Sequence, residues 1–288
     1  MYYQGLIITR KSAIIIIDSH SIWRDIMQYL DYLIPLPSIT TDNGDTVDVF
    51  ELKADIDEPS LEEWAAHFRQ NYCSDDILEI LIDGTGMTKE EYLLSHKFPD
   101  KTDGFGPGTR SGDFGELLIS DYLEFVLGYT VPRERYKNKF NRSSSTQGTD
   151  ILAYKISGTS NDPNDELVTF EVKAQASGNA PQNRLQDAIN DSFKDPIRKG
   201  ETLSALRQLY IEKGKSDKAQ QIRRFQNKPD NPYVEKNGAA AVHDIKNYSE
   251  SVLKTVDLKG GSRWLIVIKR AELMKLVHSL YERAAKCN

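Results

Sequence analysis

The chain has 288 residues, 39% hydrophobic and 28% charged, with 18 Gly and 11 Pro, a mix that excludes collagen-like, low-complexity and wholly disordered chains. A net charge of -6 argues by itself against nucleic acid as a partner. The longest strongly apolar run is five residues, Ala13–Ile17, against the roughly 20 a membrane span needs; with no secretory leader pattern and two distant cysteines, Cys73 and Cys287, we expect a cytoplasmic protein with free thiols and no membrane partner.

In chain order, residues 13–18 read as a buried strand and 21–33 as a short helix that Pro35 and Pro37 end. Asn43-Gly44 marks a hairpin turn before an alternating strand over 47–53. Ser60-Leu-Glu-Glu63 has the form of a capping box, so 60–71 should be helical, and 75–83 is a short helix or strand. The Gly-, Pro- and Asp-rich stretch 98–112 reads as a linker. Beyond it, an apolar stripe predicts a helix over 113–127. Strands over 151–156 and 166–174 flank a turn-rich segment and should pair antiparallel. Helices follow over 182–194, 202–213 and 216–227, then a fully buried strand over 263–269 and a closing helix over 271–285. The expected class is α/β or α+β, a mixed sheet flanked by helices. Residues 1–100 would form an acidic N-terminal unit and 101–288 the main domain, with a basic helical segment at 194–228.

Charge is uneven along this order. Residues 42–91 hold 15 acidic side chains against three basic ones, a balance of -12. Residues 133–142, RERYKNKFNR, hold five basic and one acidic, and 194–228 hold ten basic and four acidic. A basic back on an acidic front is a polarised molecule whose basic face can attract phosphate. Arg133, Arg135, Lys137, Lys139 and Arg142, interleaved with Tyr136 and Phe140, are therefore candidates for DNA contact. The competing reading is an exposed edge strand protected by charge. Arg110, after a glycine-rich turn without the GK[ST] of a P-loop, either meets a phosphate or sits in a plain connector.

The chemistry-bearing stretch is Glu171-Val172-Lys173. On a strand, residues i and i+2 share a face, so Glu171 and Lys173 stand side by side. Asp150 opens the preceding strand, and antiparallel pairing brings it beside Glu171. Glu116 lies on the helix leading into this sheet. Three carboxylates and a lysine at a sheet edge form a hard-oxygen site suited to Mg²⁺, with Mn²⁺ as a substitute. Such a metal polarises a phosphodiester and acidifies a water, while Lys173 orients that water or stabilises developing charge. A second triplet, Glu51-Leu52-Lys53, lacks both an acid at the start of a separate preceding strand and a glutamate on the helix before it. Gln175, two residues past Lys173 on the same face, is a further candidate near the scissile phosphate. The five scattered histidines offer no zinc spacing.

Glu116, Thr149-Asp150 and Glu171-Val-Lys173 resemble the PD-(D/E)XK signature of restriction-endonuclease-like nucleases, with Thr149 in place of the usual proline. More narrowly, Arg110-Ser-Gly-Asp-Phe-Gly-Glu116, Gly148-Thr-Asp150 and Phe170-Glu-Val-Lys173 are similar to the HamA family, nuclease subunits of Hachiman anti-phage systems, a pattern shared by the related AbpA proteins. The resemblance extends through most of the chain from about residue 61. It implies a restriction-endonuclease-like core and a Mg²⁺-dependent DNA endonuclease. It also implies that Glu116, Asp150 and Glu171 are metal ligands, with a HamB-like superfamily-2 helicase as partner and no small-molecule cofactor. Two alternatives stand beside it: a non-catalytic helicase adaptor with a structural carboxylate cluster, and a structure-specific repair nuclease or resolvase.

Overall fold

A computed structural model describes residues 27–143, 148–178 and 180–287, and the backbone of 6–10 and 13–17. At the N-terminus β1 (Leu6–Arg10) pairs antiparallel with β2 (Ala13–Ile17), the apolar run expected as a strand. The main sheet has six further strands, β3 (Leu33–Thr40), β4 (Thr46–Leu52), β5 (Ile151–Lys155), β6 (Glu166–Gln175), β7 (Val234–Asp244) and β8 (Trp264–Arg270). Their order across the sheet is β3-β4-β8-β7-β6-β5. The four inner strands run parallel, and β3 and β5 close the edges antiparallel. This is the mixed α/β architecture expected. Two of its strands come from before residue 100 and four from after it, so the change from acidic to basic sequence is not a boundary of the sheet.

Several local readings are corrected. Of the helix expected over 21–33, residues 21–26 lie outside the described residues; Gln28–Tyr32 form a 3-10 turn and Leu33 already opens β3. Pro35 and Pro37 thus sit in an edge strand, where proline's missing N–H is tolerated. The helix α1 (Glu58–Tyr72) is capped by Asp57, whose carboxylate accepts from Ser60 N at 2.8 Å, so Ser60 is the recipient of the cap and not the cap itself. Residues 75–83 resolve as the helix α2 (Asp75–Ile82). The presumed linker includes the opening turns of α3 (Gly106–Asp121). Gly106 is required there because a Cβ would lie 2.4 Å from the Asp100 carbonyl oxygen. The helices after the hairpin are α4 (Arg184–Ser192), α5 (Asp195–Glu212), α6 (Ser216–Arg223) and the closing α7 (Leu273–Lys286).

The inner strands read as continuous apolar runs because both faces of the sheet are covered. On one face, Val168, Phe170, Val172, Ala240, Val242, Ile266 and Ile268 join Phe68 of α1, Phe114 and Leu118 of α3 and Leu280 of α7. On the other, Ala239, Ala241, Leu265 and Val267 meet Leu185, Ala188 and Ile189 of α4. The sequence reading passed over β7, whose GAAA core has little strand propensity. Its small residues are required by packing: a Cβ at Gly238 would lie 2.3 Å from the Phe170 ring.

His243, near the end of β7, is buried with neither ring nitrogen hydrogen-bonded among the described residues. Burial, with Arg184 adding to it, pushes its pKa down to about 4. Protons then bind the unfolded chain in preference between that value and the ordinary 6.5, so stability falls as pH drops through this window. We expect a loss on the order of 3 kcal/mol by pH 4 from this residue, at about 1.4 kcal/mol per unit. Urea titrations at pH 7 and pH 4.5 check it: His243→Gln should flatten the difference, and an unchanged difference would reassign it to other groups.

Candidate active site at the free edge of β6

The last paired residues of the β5–β6 hairpin are Ile151 and Phe170. Asp150 therefore falls one step beyond the ladder, level with Glu171, and residues 171–175 have no β5 partner on that side. Asp150 occupies this open edge, and its Oδ2 accepts from the Val172 backbone N at 3.0 Å. Val172 itself points into the core against Gly115 of α3, which sets the neighbouring Glu116 at the same edge. Glu171 and Lys173 project from the other face of β6, toward α4 and α5. The structure thus gathers Glu116, Asp150, Glu171 and Lys173 around one end of one strand.

Cations hold these carboxylates in place. Lys173 Nζ lies 2.9 Å from Glu171 Oε1 and 2.7 Å from Asp191 Oδ2, and Arg198 of α5 lies 3.2 Å from Glu171 Oε2. Arg135 reaches Asp150 Oδ1 at 3.0 Å and Glu116 Oε2 at 3.3 Å, and also donates to the Thr149 carbonyl. Tyr136 donates to Glu116. Among the described residues, no three Asp, Glu, His or Cys side chains converge as a ready metal cage; a guanidinium bridges two of the carboxylates instead.

The electrostatics follow from that burial. Burial pushes the Glu116 carboxyl up to about 8; Arg135 works against the rise, and Asp150 and Asp113 add to it. Glu171 is likewise raised, by burial first and then by the Asp150 charge. Burial works against the Lys173 ammonium, but hydrogen bonds to Asp191 and Glu171 outweigh it and raise its pKa. Asp191 is correspondingly lowered to about 2 by Lys173 and Lys194. Lys173 is thus a fixed cation, fitted to orient an oxygen or offset negative charge and not to take up a proton.

The segment 133–142 is neither an edge strand nor a row of outward cations. It lies antiparallel along α3 and pairs with that helix's acids: Lys139 with Asp113 at 2.7 Å, Arg135 with Glu116, and Arg133 with Asp121 at 2.7 Å. Arg133 also meets Glu124, and Arg142 meets Asp100 at 3.0 Å. These placements differ from the phosphate-facing ones expected, because a local charge count does not show that the compensating acids sit on the helix beneath. Lys137 is half-buried and Phe140 stands fully exposed. Arg110 is buried too, 4.5 Å over the Tyr281 ring and donating to the Pro99 carbonyl at 2.8 Å. Gln175 turns inward to the Ala180 carbonyl and the Gln182 N–H, holding the loop after β6.

We expect Arg133→Met to destabilise the fold by roughly 2–3 kcal/mol, since the buried Asp121 would lose its guanidinium and keep only His67 at 3.0 Å and the Tyr29 hydroxyl at 2.7 Å. Chemical denaturation reads that loss. Full stability with weakened DNA binding would instead make Arg133 a surface contact.

Asp191 and Arg198 were missed as members of the site. Asp191 carried one signal: an acid in the last turn of a helix opposes the macrodipole and needs a cation partner. Arg198 carried none, as one basic residue among many.

The HamA family model matches residues 27–284. The chain belongs to the HamA family. That match covers all six strands of the main sheet and every residue of the site, and it supports a role in Hachiman defence. No curated protein matches this HamA-family chain. Among its described residues, no helix is long and apolar enough to cross a membrane.

Proposed function

We propose that the chain is a metal-dependent DNA nuclease of the PD-(D/E)XK type, the effector of a defence complex in which a helicase partner controls cleavage. The observation that carries this reading is the convergence of Asp150, Glu171 and Lys173 where β6 outruns β5. The donor set suits Mg²⁺ or Mn²⁺, which need only one or two carboxylates beside water and phosphate oxygens. Burial and mutual repulsion raise Glu171, and a cation there would relieve both. Bound at Asp150 and Glu171, such an ion supplies Lewis-acid polarisation of the phosphate and an acidified water.

The chain's own residues do the rest. Asp150 is fixed by the Val172 N–H, so it is oriented before any ligand arrives. Lys173, held charged by Asp191, offsets negative charge developing on the phosphate. Arg198 keeps Glu171 extended along the α5 side. With the Glu116 carboxyl raised to about 8 and so mostly protonated near neutral pH, Arg135 balances the Asp150 charge, and the resting site is charge-balanced without metal. That balance gives low basal activity a physical form: the guanidinium must leave before both carboxylates can serve a metal.

The same pairing favours a second reading, in which the cluster is a structural ion network and the chain is a helicase adaptor. Plasmid degradation by the purified chain, with and without the helicase, in Mg²⁺ and in EDTA, separates them. Chelator-sensitive cleavage that is lost in Lys173→Ala is expected. Intact plasmid in every arm, with helicase binding retained by the variant, would favour the adaptor. Cleavage of branched DNA without the helicase would favour a resolvase.

A further inference from the structure

A cavity of about 780 Å³ opens at the end of the main sheet where β5 finishes and β7 and β8 begin. Tyr129, Lys155, Glu235 and Lys236 are among the residues that line it. Lys236 Nζ reaches Glu166 Oε2 at 2.7 Å and the Tyr129 hydroxyl at 3.3 Å, and Lys155 Nζ stands 4.3 Å over the same ring. Two ammonium groups thus flank one phenol. Among the described residues Lys155, itself half-buried, has no carboxylate within ion-pair reach. Burial lowers its pKa, Lys236 adds to the fall and Glu166 opposes it, so an anion seated here relieves both costs. Glu235 is held in turn by Lys199 and, at 3.0 Å, by Lys228. Four lysines therefore meet two glutamates around the cavity, a local positive excess on a chain of net charge -6.

α5 connects this place to the candidate active site. Arg198 meets Glu171 at 3.2 Å, and the next residue, Lys199, meets Glu235. Glu235 pairs with Leu167 of β6, four residues before Glu171, or roughly 13 Å at ~3.3 Å per residue.

We infer that this cavity is a phosphate-binding groove for the DNA backbone, set apart from the bond that is cut. The inference rests on the nuclease reading, which puts the scissile phosphate at Asp150 and Glu171. A B-form strand advances ~3.4 Å per phosphate, so the groove takes phosphates about four or five nucleotides from the cut. Continuity through Arg198 and Lys199 selects a strand over a free nucleotide, which needs no path toward Glu171. Ammonium groups on flexible stems meet phosphate as point charges and read no base, so the groove adds affinity and register without sequence preference. It takes the role expected of residues 133–142, most of whose cations turn inward onto α3.

The test measures binding of the full chain to a labelled duplex in EDTA across a series of salt concentrations, with Mg²⁺ cleavage and helicase binding followed in parallel. Lys155→Gln leaves no carboxylate unpaired, so the fold is kept, and thermal unfolding verifies it. The slope of log affinity against log salt should shrink by about 0.9 in Lys155→Gln, the share of one phosphate contact, and by about twice that when Lys236→Gln is added. Lys155→Arg should restore the slope, and duplexes of unrelated sequence should lose affinity equally. No duplex binding by the wild type, or an unchanged slope in the folded double variant, would overturn the groove even if Mg²⁺-dependent cleavage is intact. An unchanged slope with helicase binding lost would overturn it in favour of a protein-facing surface. In a second arm, a nucleoside monophosphate that binds the wild type and not Lys155→Gln, again with the DNA slope unchanged, would overturn the strand in favour of a free nucleotide. A reduced slope in the variants, with no cleavage by any form, would support the groove and overturn the nuclease reading.

Discussion

Glu171→Gln should lower Mg²⁺-dependent cleavage by roughly 10²–10³-fold or more, the scale of losing one preorganised electrostatic group at a phosphoryl centre, while leaving the fold at least as stable as wild type. Both halves follow from the burial of one carboxylate. Glu171 is 3% exposed, and burial and Asp150 both disfavour its charge. A neutral amide of the same shape escapes those costs and still accepts a hydrogen bond from Lys173 or Arg198. Lys173 keeps Asp191 at 2.7 Å in the variant, so no buried cation is orphaned. A site that is expensive to hold folded but needed for chemistry shows this opposition of stability and activity. The ion-network reading predicts the reverse, a loss of stability when a partner of two cations is neutralised. Thermal unfolding beside plasmid cleavage therefore distinguishes the two on a single variant.

Arg135→Gln should make the stability of the chain depend on divalent metal. Burial opposes the Arg135 charge, yet Glu116, Tyr136 and Asp150 outweigh that and raise its pKa; the ion is held by the carboxylates it bridges. Its removal leaves the Asp150 carboxylate without its guanidinium partner beside a neutral Glu116, a change that costs about 3–5 kcal/mol in buried pairs. At roughly 2 °C per kcal/mol for a domain of this size, the midpoint in EDTA should fall by about 5–10 °C. Mg²⁺ or Mn²⁺ should recover most of that loss, because the vacated position suits a hard cation between hard oxygens. In the wild type, where Arg135 already fills the role, added metal should shift the midpoint much less. Basal cleavage without the helicase should rise in parallel, since displacing the guanidinium is no longer required. A variant that stays destabilised at millimolar metal would show Arg135 to be a structural clasp alone.

The gathering of Asp150, Glu171 and Lys173 was legible because strand geometry is local. Glu171 and Lys173 share a face by the two-residue period, and one antiparallel hairpin suffices to bring Asp150 level with them. Packing decided what local pattern did not. The cations of residues 133–142 read as outward because the acids that turn them inward lie on α3, some 20 residues earlier. β7 escaped notice because its GAAA run is shaped by the Phe170 ring across the ladder and not by its own propensity. Pro35 and Pro37 end helices and protect edge strands equally well, and only the sheet order shows which.

The account rests on a divalent cation at Asp150 and Glu171, and the most direct measurement is an anomalous difference map from crystals of the chain soaked in Mn²⁺. A peak on the Asp150 and Glu171 carboxylates, with the Arg135 guanidinium displaced from Asp150, is the predicted result. A map with no peak there, or Mn²⁺ bound elsewhere while Arg135 still bridges Glu116 and Asp150, would contradict it.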